Sequence, residues 1–368
     1  MLTICIIASV GLYAVELLFL IIGLRRANRF QPIVNTEPFV SIIVAARNEE
    51  KSIGDCLSSL ITLDYPAEKF EIIAVNDGST DRTDEVMGSF AGKHPHFIII
   101  HTEPGKGNLR GKTNALAQGI SSSTGEIIMF TDADCRVPPT WIRETVRRFD
   151  DQTGIVGGYT LLGGMKPFGG IQALDWLFLF SLASSAAGWG IPLTVIGNNL
   201  SIRRTAYDAT GGFEKIPFSV TEDYALVRAI VRSSRYRVKF PLNEKTLIRS
   251  KACSTWKELY RQKQRWGFGG LDMVFFGLLV MAIGYLAKIL LLIGIFTLPA
   301  MLSAFLLLLM FLAEFGFLSK PIRRCKAFHL LKYFPLFFIY LYSYVLLLPF
   351  IVGLSRHIVW KARTIFNR

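Results

Sequence analysis

The sequence predicts an α/β domain, built on a mostly parallel sheet, with apolar helices before and after it. Between Phe39 and Thr131, short β-branched runs alternate with segments of helical spacing, a pattern typical of a parallel sheet covered on both faces. Apolar runs of about 20 residues, enough for a membrane-spanning helix, stand near both ends of the chain. The composition agrees, since 51% hydrophobic residues are many for a soluble globule and 19% charged residues are many for a protein wholly within a membrane.

The first element is an apolar run, Leu2–Leu24, that contains one charged residue, Glu16. Its positive charges, Arg25 and Arg26, follow the run, whereas a cleaved signal peptide carries them in front. We therefore expect a retained transmembrane anchor over residues 1–30. The preference of positive charges for the cytoplasmic side places the domain that follows in the cytoplasm.

The next elements form the sheet domain, predicted over residues 38–253. Strands are expected at 39–46, 71–76, 97–101 and 127–131, with helices at 49–63, 81–90 and 112–119 between them. A second apolar stretch, Phe168–Leu193, is broken by Gly188, Gly190 and Pro192, so we expect a core or interface helix, with contact to a lipid acceptor as the alternative. A short strand at 197–204 and a helix at 222–233 complete the domain.

The remaining elements belong to the membrane. Residues 254–270 form a basic amphipathic helix that leads into it. Residues 271–368 hold apolar stretches at 273–296, 298–318 and 333–354, which we expect to give two to four transmembrane or interfacial helices, with a basic loop at 320–326 and a basic tail at 356–368. For the charges within apolar runs, Glu16, Lys288 and Glu314, mutual pairing or snorkelling is favoured over a functional role.

The net charge of +13 and the five scattered cysteines bound the function further. With apolar flanks, the positive charge favours anionic lipid headgroups or phosphorylated substrates, and we expect no nucleic-acid partner. The cysteines show no metal-binding spacing and predict reduced thiols.

Carboxylates follow the predicted strands, at the edge where parallel sheets bind ligands. Asp132 and Asp134 alternate after the fourth strand, and such oxygen ligands suit Mg²⁺ or Mn²⁺ held partly by substrate phosphates. Asp77 follows the second strand in a turn that suits a base or ribose, and Lys112 ends a basic loop that suits phosphates. These residues predict a nucleotide and metal site.

A second set of residues suits transfer to a hydroxyl. Glu222 or Asp223, in the first turn of a helix, supplies a carboxylate that can accept the proton of an attacking hydroxyl. Arg265 is the best cation for stabilising a departing phosphate. Trp266 suits packing on a sugar ring or anchoring at the membrane interface, and both remain open.

The motifs resemble those of the membrane-bound family 2 glycosyltransferases of the GT-A fold. The resemblance covers most of Phe39–Gly270 and is carried by an ordered set: VAARNE, NDGSTD, GKTNAL, TDADC, GNN with two arginines after it, TED and QKQRW. It implies a nucleotide-diphospho-sugar donor, a divalent metal and inversion at the anomeric carbon by direct displacement.

The resemblance also implies roles for single residues. Asp77 would contact the nucleobase or ribose and Asp132 the nucleotide, with Ala45, Glu49 and Lys112 beside them. Asp134 would bind the metal. Asp223 would act as general base, with Glu222 and Arg265 as further catalytic residues. The diphosphate and acceptor positions are Gln262, Arg265, Trp266 and Asn198.

The function predicted is transfer of a sugar to a lipid-linked acceptor at the cytoplasmic face of a bacterial-type cell membrane, by a multi-pass protein. A processive polysaccharide synthase of the cellulose or hyaluronan type is the alternative, because QxxRW marks those enzymes too. A self-contained secretion channel would need more helices than the few expected here, unless several chains assemble or a partner supplies the pore. A non-catalytic membrane scaffold that binds a nucleotide sugar has no need of the base, and a transporter does not need the long polar domain.

Overall fold

The computed structural model describes residues 1–29, 36–193, 196–233, 236–270, 273–353, 357–360 and 363–366. The α-helices within these ranges are α1 Leu2–Ala27, α2 Ile53–Leu60, α3 Thr83–Gly88, α4 Gly111–Ser121, α5 Trp141–Val146, α6 Pro167–Gly188, α7 Arg204–Asp208, α8 Glu222–Ser233, α9 Trp256–Gly270, α10 Phe275–Thr297, α11 Ala300–Arg324 and α12 Phe334–Gly353. The strands are β1 Val40–Ala46, β2 Phe70–Asn76, β3 Phe97–His101, β4 Ile127–Asp132, β5 Thr153–Gly157, β6 Thr160–Leu162, β7 Leu200–Arg203, β8 Arg237–Lys239, β9 Ile248–Ser250, β10 His357–Trp360 and β11 Arg363–Phe366. Short 3₁₀ helices occupy Ala67–Lys69, Gly197–Asn199, Glu244–Thr246 and Phe328–Tyr333.

The chain forms two compact units. The sheet unit comprises Arg29–Leu161 and Thr194–Lys251, and the helical unit comprises Met1–Asn28, Leu162–Leu193 and Ala252–Arg368. Helix α6 thus lies inside the sequence range predicted for the sheet domain but belongs to the helical unit.

The sheet unit is built on a mixed, mostly parallel sheet. Among the described residues it has seven strands in the order β3-β2-β1-β4-β7-β5-β8. β1 pairs in parallel with β2 and β4, β2 with β3, and β5 with β8, whereas β7 runs antiparallel to β4 and β5. β2 is buried along its whole length, as expected for a central parallel strand covered on both faces. The predicted parallel sheet is confirmed, and its carboxyl edge carries the loops after β1, β2 and β4.

One face of this sheet packs against α2 and α5 in a continuous apolar core. Ile42, Ile72 and Leu57 are fully buried there, and Trp141 is the largest side chain with no exposed surface. Because a buried indole N–H needs a partner, Trp141 donates from Nε1 to Oδ1 of Asn199 at 3.0 Å. This bond fixes the segment just before β7, next to the residues that face the site.

The helical unit is assembled around α1, which packs against α6, α10 and α11. Small residues bring α1 and α6 close together, since a Cβ on Gly188 would meet the carbonyl oxygen of Gly23 at 1.9 Å. Apolar side chains such as Val10, Leu17 and Leu291 fill the space between α1 and α10. By length and composition, five helices of the described chain could cross a membrane: Leu2–Ala27, Pro167–Gly188, Phe275–Thr297, Ala300–Arg324 and Phe328–Gly353.

A polar network lies within this apolar bundle. Tyr13 Oη donates to Oε1 of Glu314 at 2.8 Å, and Lys288 Nζ donates to the same oxygen at 2.9 Å. Mutual pairing, favoured from the sequence, is confirmed for Lys288 and Glu314, since an unpaired charge in apolar surroundings is costly. Glu16 is buried too, and neither of its carboxylate oxygens has a hydrogen-bond partner within the described part of the chain.

The helix expected within the Phe168–Leu193 stretch is confirmed as Pro167–Gly188, with Gly190 and Pro192 after its end. The structure differs from the sequence prediction at the end of α11. The predicted basic loop at 320–326 is wrong, because α11 continues through Pro321 to Arg324 and the basic residues form its last turn. Of the predicted basic tail, Arg356, 361–362 and 367–368 lie outside the described residues, and β10 and β11 pair antiparallel.

Candidate active site

The loops after β1 and β2 are bound to each other at the carboxyl edge of the sheet. The backbone N–H of Asn48 donates to Ser79 Oγ at 3.1 Å, and Asn48 Oδ1 accepts from the N–H of Thr80 at 2.8 Å. Asn48 has a φ of 52°, a left-handed conformation that asparagine tolerates better than most residues. Arg47 donates from Nη1 to the carbonyl oxygen of Asp77 at 2.7 Å, which fixes the position of that residue.

The sheet and the loops after its strands bring four predicted nucleotide contacts to this edge. Ala45 of β1 lies directly beside Asp132 of β4. Asp77 is buried one residue beyond β2, where its Oδ1 accepts from Thr102 Oγ1 at 3.4 Å. Glu49 lies in the β1 loop, with its backbone N–H bound to Thr83 Oγ1 at 2.7 Å. The predicted positions are therefore neighbours in the sheet unit.

Lys112 joins two of the predicted acidic residues. Its Nζ lies 2.7 Å from Asp132 Oδ1 and 3.1 Å from Glu222 Oε1. Burial alone would lower the pKa of Lys112, but the charges of Asp132 and Glu222 raise it well above its ordinary value. The side chain is thus a permanent cation that ties the β4 end to the first turn of α8.

Asp134, the predicted metal ligand, lies close to other negatively charged side chains. Burial, reinforced by the charges of Asp132 and Glu49, raises the pKa of Asp134. Ser250 Oγ donates to its Oδ2 at 3.3 Å and Cys135 Sγ to its Oδ1 at 3.4 Å, which orients the carboxylate.

The carboxylates of Asp132 and Asp134 fit a divalent cation. In the parts of the chain that the structure describes, no three His, Cys, Asp or Glu side chains form a ligand set on their own. Mg²⁺, however, is usually held by one or two carboxylates together with substrate phosphates and water. A cation would also relieve the mutual repulsion that raises the pKa of Asp134.

Asp223 is held by backbone groups at the start of α8. Its Oδ2 accepts from the N–H of Gly197 at 2.7 Å and its Oδ1 from the N–H of Tyr224 at 2.8 Å. Burial and the charge of Glu222 raise the pKa of Asp223 to about 6, although Lys112 acts to lower it. A carboxylate with a pKa near neutrality is suited to accept a proton.

One pocket of the sheet unit contains four of the charged residues described above. It is lined by Lys112, Asp132, Glu222 and Asp223, with an apolar wall that includes Phe130 and Leu226. Asn198, predicted from the resemblance, is almost wholly buried, and its Oδ1 accepts from Thr160 Oγ1 at 3.0 Å. The backbone N–H of Gly197 was not predicted from the sequence, because a glycine carries no side-chain signal.

The Gln-x-x-Arg-Trp residues lie on α9 of the helical unit. The Trp266 ring lies 5.3 Å from the ring of Trp176 on α6. Oε1 of Gln262 is buried and has no hydrogen-bond partner among the described residues. Arg265 is half-buried one residue before Trp266.

Between these motif residues, Lys263 is buried and pairs with Asp175 of α6. The Lys263 ammonium also lies 4.8 Å from the centroid of Trp266 and 4.7 Å from that of Tyr344 on α12. Sequence reasoning missed this pair. A signal was present, because Asp175 is the one charged residue of the apolar stretch 168–193.

Comparison with protein families gives two overlapping matches. Residues 127–355, more than half of the chain, match the model of "Glycosyl transferase family group 2", and residues 41–211 match "Glycosyl transferase family 2".

Curated relatives include two synthases. The chain is 28% identical over 241 residues to beta-monoglucosyldiacylglycerol synthase of Synechocystis sp., covering 63% of this chain and 48% of that protein. It is 27% identical over 239 residues to poly-beta-1,6-N-acetyl-D-glucosamine synthase of Staphylococcus epidermidis, covering 64% of this chain and 55% of that protein. The chain thus spans about half the length of these relatives.

Among solved structures, the chain is similar to a mannosyltransferase from Pyrobaculum calidifontis, solved in complex with GDP-Man and Mn2+. The TM-score is 0.60 at 19% identity, and the alignment covers 92% of this chain and 99% of the other. At this identity the likeness establishes the fold, and the predicted GT-A class is confirmed.

Proposed function

Because the chain belongs to glycosyl transferase family 2, we propose that it moves a sugar from a nucleotide-diphospho-sugar to a lipid-linked acceptor, with inversion and with a divalent metal. The observation that carries this proposal is the position of Asp223. This carboxylate, with its pKa raised to about 6, lines the same pocket as Asp132. A base and a nucleotide-binding carboxylate in one pocket are what direct displacement requires.

The donor is proposed to bind at the carboxyl edge of the sheet. Asp77 contacts the base or ribose, and Ala45 and Glu49 line the nucleotide beside Asp132. The Lys112 cation lies at this edge and offers positive charge near the diphosphate. The bound GDP-Man of the Pyrobaculum structure is consistent with a donor of this class.

The metal proposed is Mg²⁺ or Mn²⁺, held by Asp134 with Asp132 nearby. Bound there, such an ion neutralises charge that develops on the departing diphosphate. The hydrogen bonds from Ser250 and Cys135 orient Asp134 for this role.

The acceptor hydroxyl is proposed to attack the anomeric carbon as Asp223 takes its proton. The N–H groups of Gly197 and Tyr224 hold the carboxylate in place before the reaction. Glu222 keeps the pKa of Asp223 high through its charge. Gln262, Arg265 and Trp266 are proposed to hold the diphosphate and the acceptor, with Asn198 as a buried support.

The acceptor is proposed to be a membrane lipid, reached from the cytoplasmic face. Helices long and apolar enough to cross a membrane support a lipid-borne substrate. The Synechocystis relative is named for a glycolipid, whereas the Staphylococcus relative is named for a polymer, so a processive polysaccharide synthase is the second candidate.

A direct assay separates these two candidates. Membranes that contain the protein are incubated with a panel of labelled sugar nucleotides, and lipid-extractable label is separated from polymer. Label in lipid, absent from membranes that carry Asp223→Asn, supports the proposal. Label in polymer with none in lipid contradicts it in favour of the synthase.

The pH dependence of kcat/KM should report the ionisation of Asp223. The base must be deprotonated, so kcat/KM is expected to be full well above pH 6 and to fall about tenfold per unit well below it. Glu222→Gln removes the charge that helps to raise this pKa, so the midpoint should move to lower pH. An unchanged midpoint in that variant would argue that another group is responsible, and Asp208→Asn, an exposed carboxylate in α7, is the matched control.

Asp134→Ala should weaken donor binding only where a divalent metal contributes to it. We expect the affinity for the sugar nucleotide to fall in Mg²⁺ or Mn²⁺ and to match that of the unchanged protein in excess chelator. Calorimetric titration in both conditions measures this difference. Full transfer activity of the unchanged protein in excess chelator would remove the metal from the mechanism.

A further inference from the structure

On helices α6, α9 and α12, three buried polar atoms have no hydrogen-bond partner among the described residues. They are Nε1 of Trp176 on α6, Oε1 of Gln262 on α9 and the hydroxyl of Tyr340 on α12. Trp176 is 7% exposed, so its N–H has lost most of its access to water. Buried polar groups are nearly always paired in native proteins, and an unpaired one needs an explanation.

The three side chains surround one cluster. Its centre is the Asp175–Lys263 pair, and Asp175 directly precedes Trp176. The Trp176 ring contacts Trp266, which lies one turn after Gln262 on α9. Tyr340 stacks on Tyr344, with centroids 6.0 Å apart and planes 5° from parallel, and the Lys263 ammonium lies over the Tyr344 ring.

The atoms define the chemistry of a matching ligand. An indole N–H only donates, an amide oxygen only accepts, and a phenol does both. A hydroxyl can satisfy each of them. Since Asp175 already neutralises Lys263, the pair offers no net charge to an anionic group, which favours a neutral ligand.

We propose that Trp176 and Tyr340, together with Gln262, form a subsite for hydroxyl groups of a neutral polyol headgroup of the acceptor lipid. This inference rests on the proposed function and names its acceptor class. The subsite belongs to α6, α9 and α12, and its two aromatic members lie outside the motifs that identified the chain.

The neighbouring tyrosines of α12 allow a matched test. The hydroxyl of Tyr340 has no partner within the part of the chain that the structure describes, whereas the hydroxyl of Tyr342 donates to the carbonyl oxygen of Lys288 at 2.6 Å. Phenylalanine removes the same atom from either position. Removing a paired hydroxyl should lower stability, whereas removing an unpaired one should not, because no protein hydrogen bond is lost.

The experiment uses the full-length protein, a labelled sugar nucleotide, and phosphatidylcholine vesicles that contain either diacylglycerol or a monoglycosyl lipid. Tyr340→Phe should raise the KM for the acceptor by about threefold to tenfold, the usual effect of one hydrogen bond. The kcat, the donor KM and the thermal unfolding temperature of Tyr340→Phe should equal those of the unchanged protein. Tyr342→Phe should lower the unfolding temperature and leave the acceptor KM unchanged.

The two vesicle types distinguish a glycerol hydroxyl from sugar hydroxyls as the group bound by the subsite. The increase in acceptor KM should appear with the lipid whose headgroup binds there. Trp176→Phe should repeat the KM effect, with Trp189→Phe, whose N–H bonds to the carbonyl of Phe19, as its control. An unchanged acceptor KM in an active Tyr340→Phe protein overturns the subsite, as does a loss of stability equal to that of Tyr342→Phe. A protein that transfers sugar to neither vesicle refutes the proposed lipid acceptor itself.

Discussion

Asp223→Asn is expected to lower kcat by about 10²–10⁴-fold, the usual contribution of a general base. An amide cannot take the proton of the attacking hydroxyl. It also keeps only one oxygen, so one of the two backbone N–H groups, of Gly197 or Tyr224, loses its acceptor. That loss should cost about 1–3 kcal/mol of stability at most, which leaves the sheet unit folded. Single-turnover kinetics with saturating donor measure the effect.

Donor affinity provides the internal check on this variant. The proposed role of Asp223 is to accept the proton of the acceptor hydroxyl and not to bind the donor, so Asp223→Asn should bind the sugar nucleotide almost normally. Asp208→Asn, on an exposed face of the same unit, should change neither quantity. Turnover by purified Asp223→Asn at the rate of the unchanged protein would refute the assignment of the base.

Asp175→Leu should cause a large loss of stability in the helical unit. The Lys263 side chain is 5% exposed and its carboxylate partner 7% exposed, so the substitution leaves a buried charge without compensation. Breaking such a pair from one side typically costs about 3–5 kcal/mol. Lys263 lies between Gln262 and Arg265, so transfer activity should fall as well. Thermal unfolding in detergent and the half-life of activity measure both effects.

The double variant Asp175→Leu with Lys263→Met separates charge from packing. Replacing both partners by apolar residues of similar volume is often neutral or stabilising, and methionine keeps a favourable contact with Trp266 and Tyr344. The double variant should therefore be more stable than either single one. If its loss equals the sum of the two single losses, the pair contributes no coupling and the prediction fails.

Much of the fold could be predicted because the hydrophobic pattern of a segment agrees with the position of that segment in the folded chain. The β-branched runs at β1 and β2 are buried on both faces, and α8 has the predicted bounds, Glu222–Ser233. The helix expected in the Phe168–Leu193 stretch ends at Gly188, where a glycine costs less than in the interior of a helix. For α11, the basic segment read as a loop instead continues the helix, whose last turn favours cations.

The sequence allowed the candidate residues of the site to be proposed, but it did not show which of them form ion pairs. Asp132, Asp134 and Asp223 were identified because each follows a strand or begins a helix. The bridge from Lys112 to Glu222 was not, because its partners are far apart in sequence and only the folded sheet brings them together. The Asp175–Lys263 pair was missed for the same reason, since its residues lie 88 positions apart.

The bond between Tyr13 and Glu314 joins positions 301 residues apart. A ribosome adds about 5–20 residues per second, so α1 exists for roughly 15 to 60 seconds before the carboxylate that accepts from Tyr13 has been made. In that interval Lys288 is also absent for most of the time, and Glu16 has no cation of the network near it. The last strand of the sheet unit, β9, is complete well before α11 is. The sheet unit is therefore complete before the polar network around α1 can close, because Glu314 is made after β9.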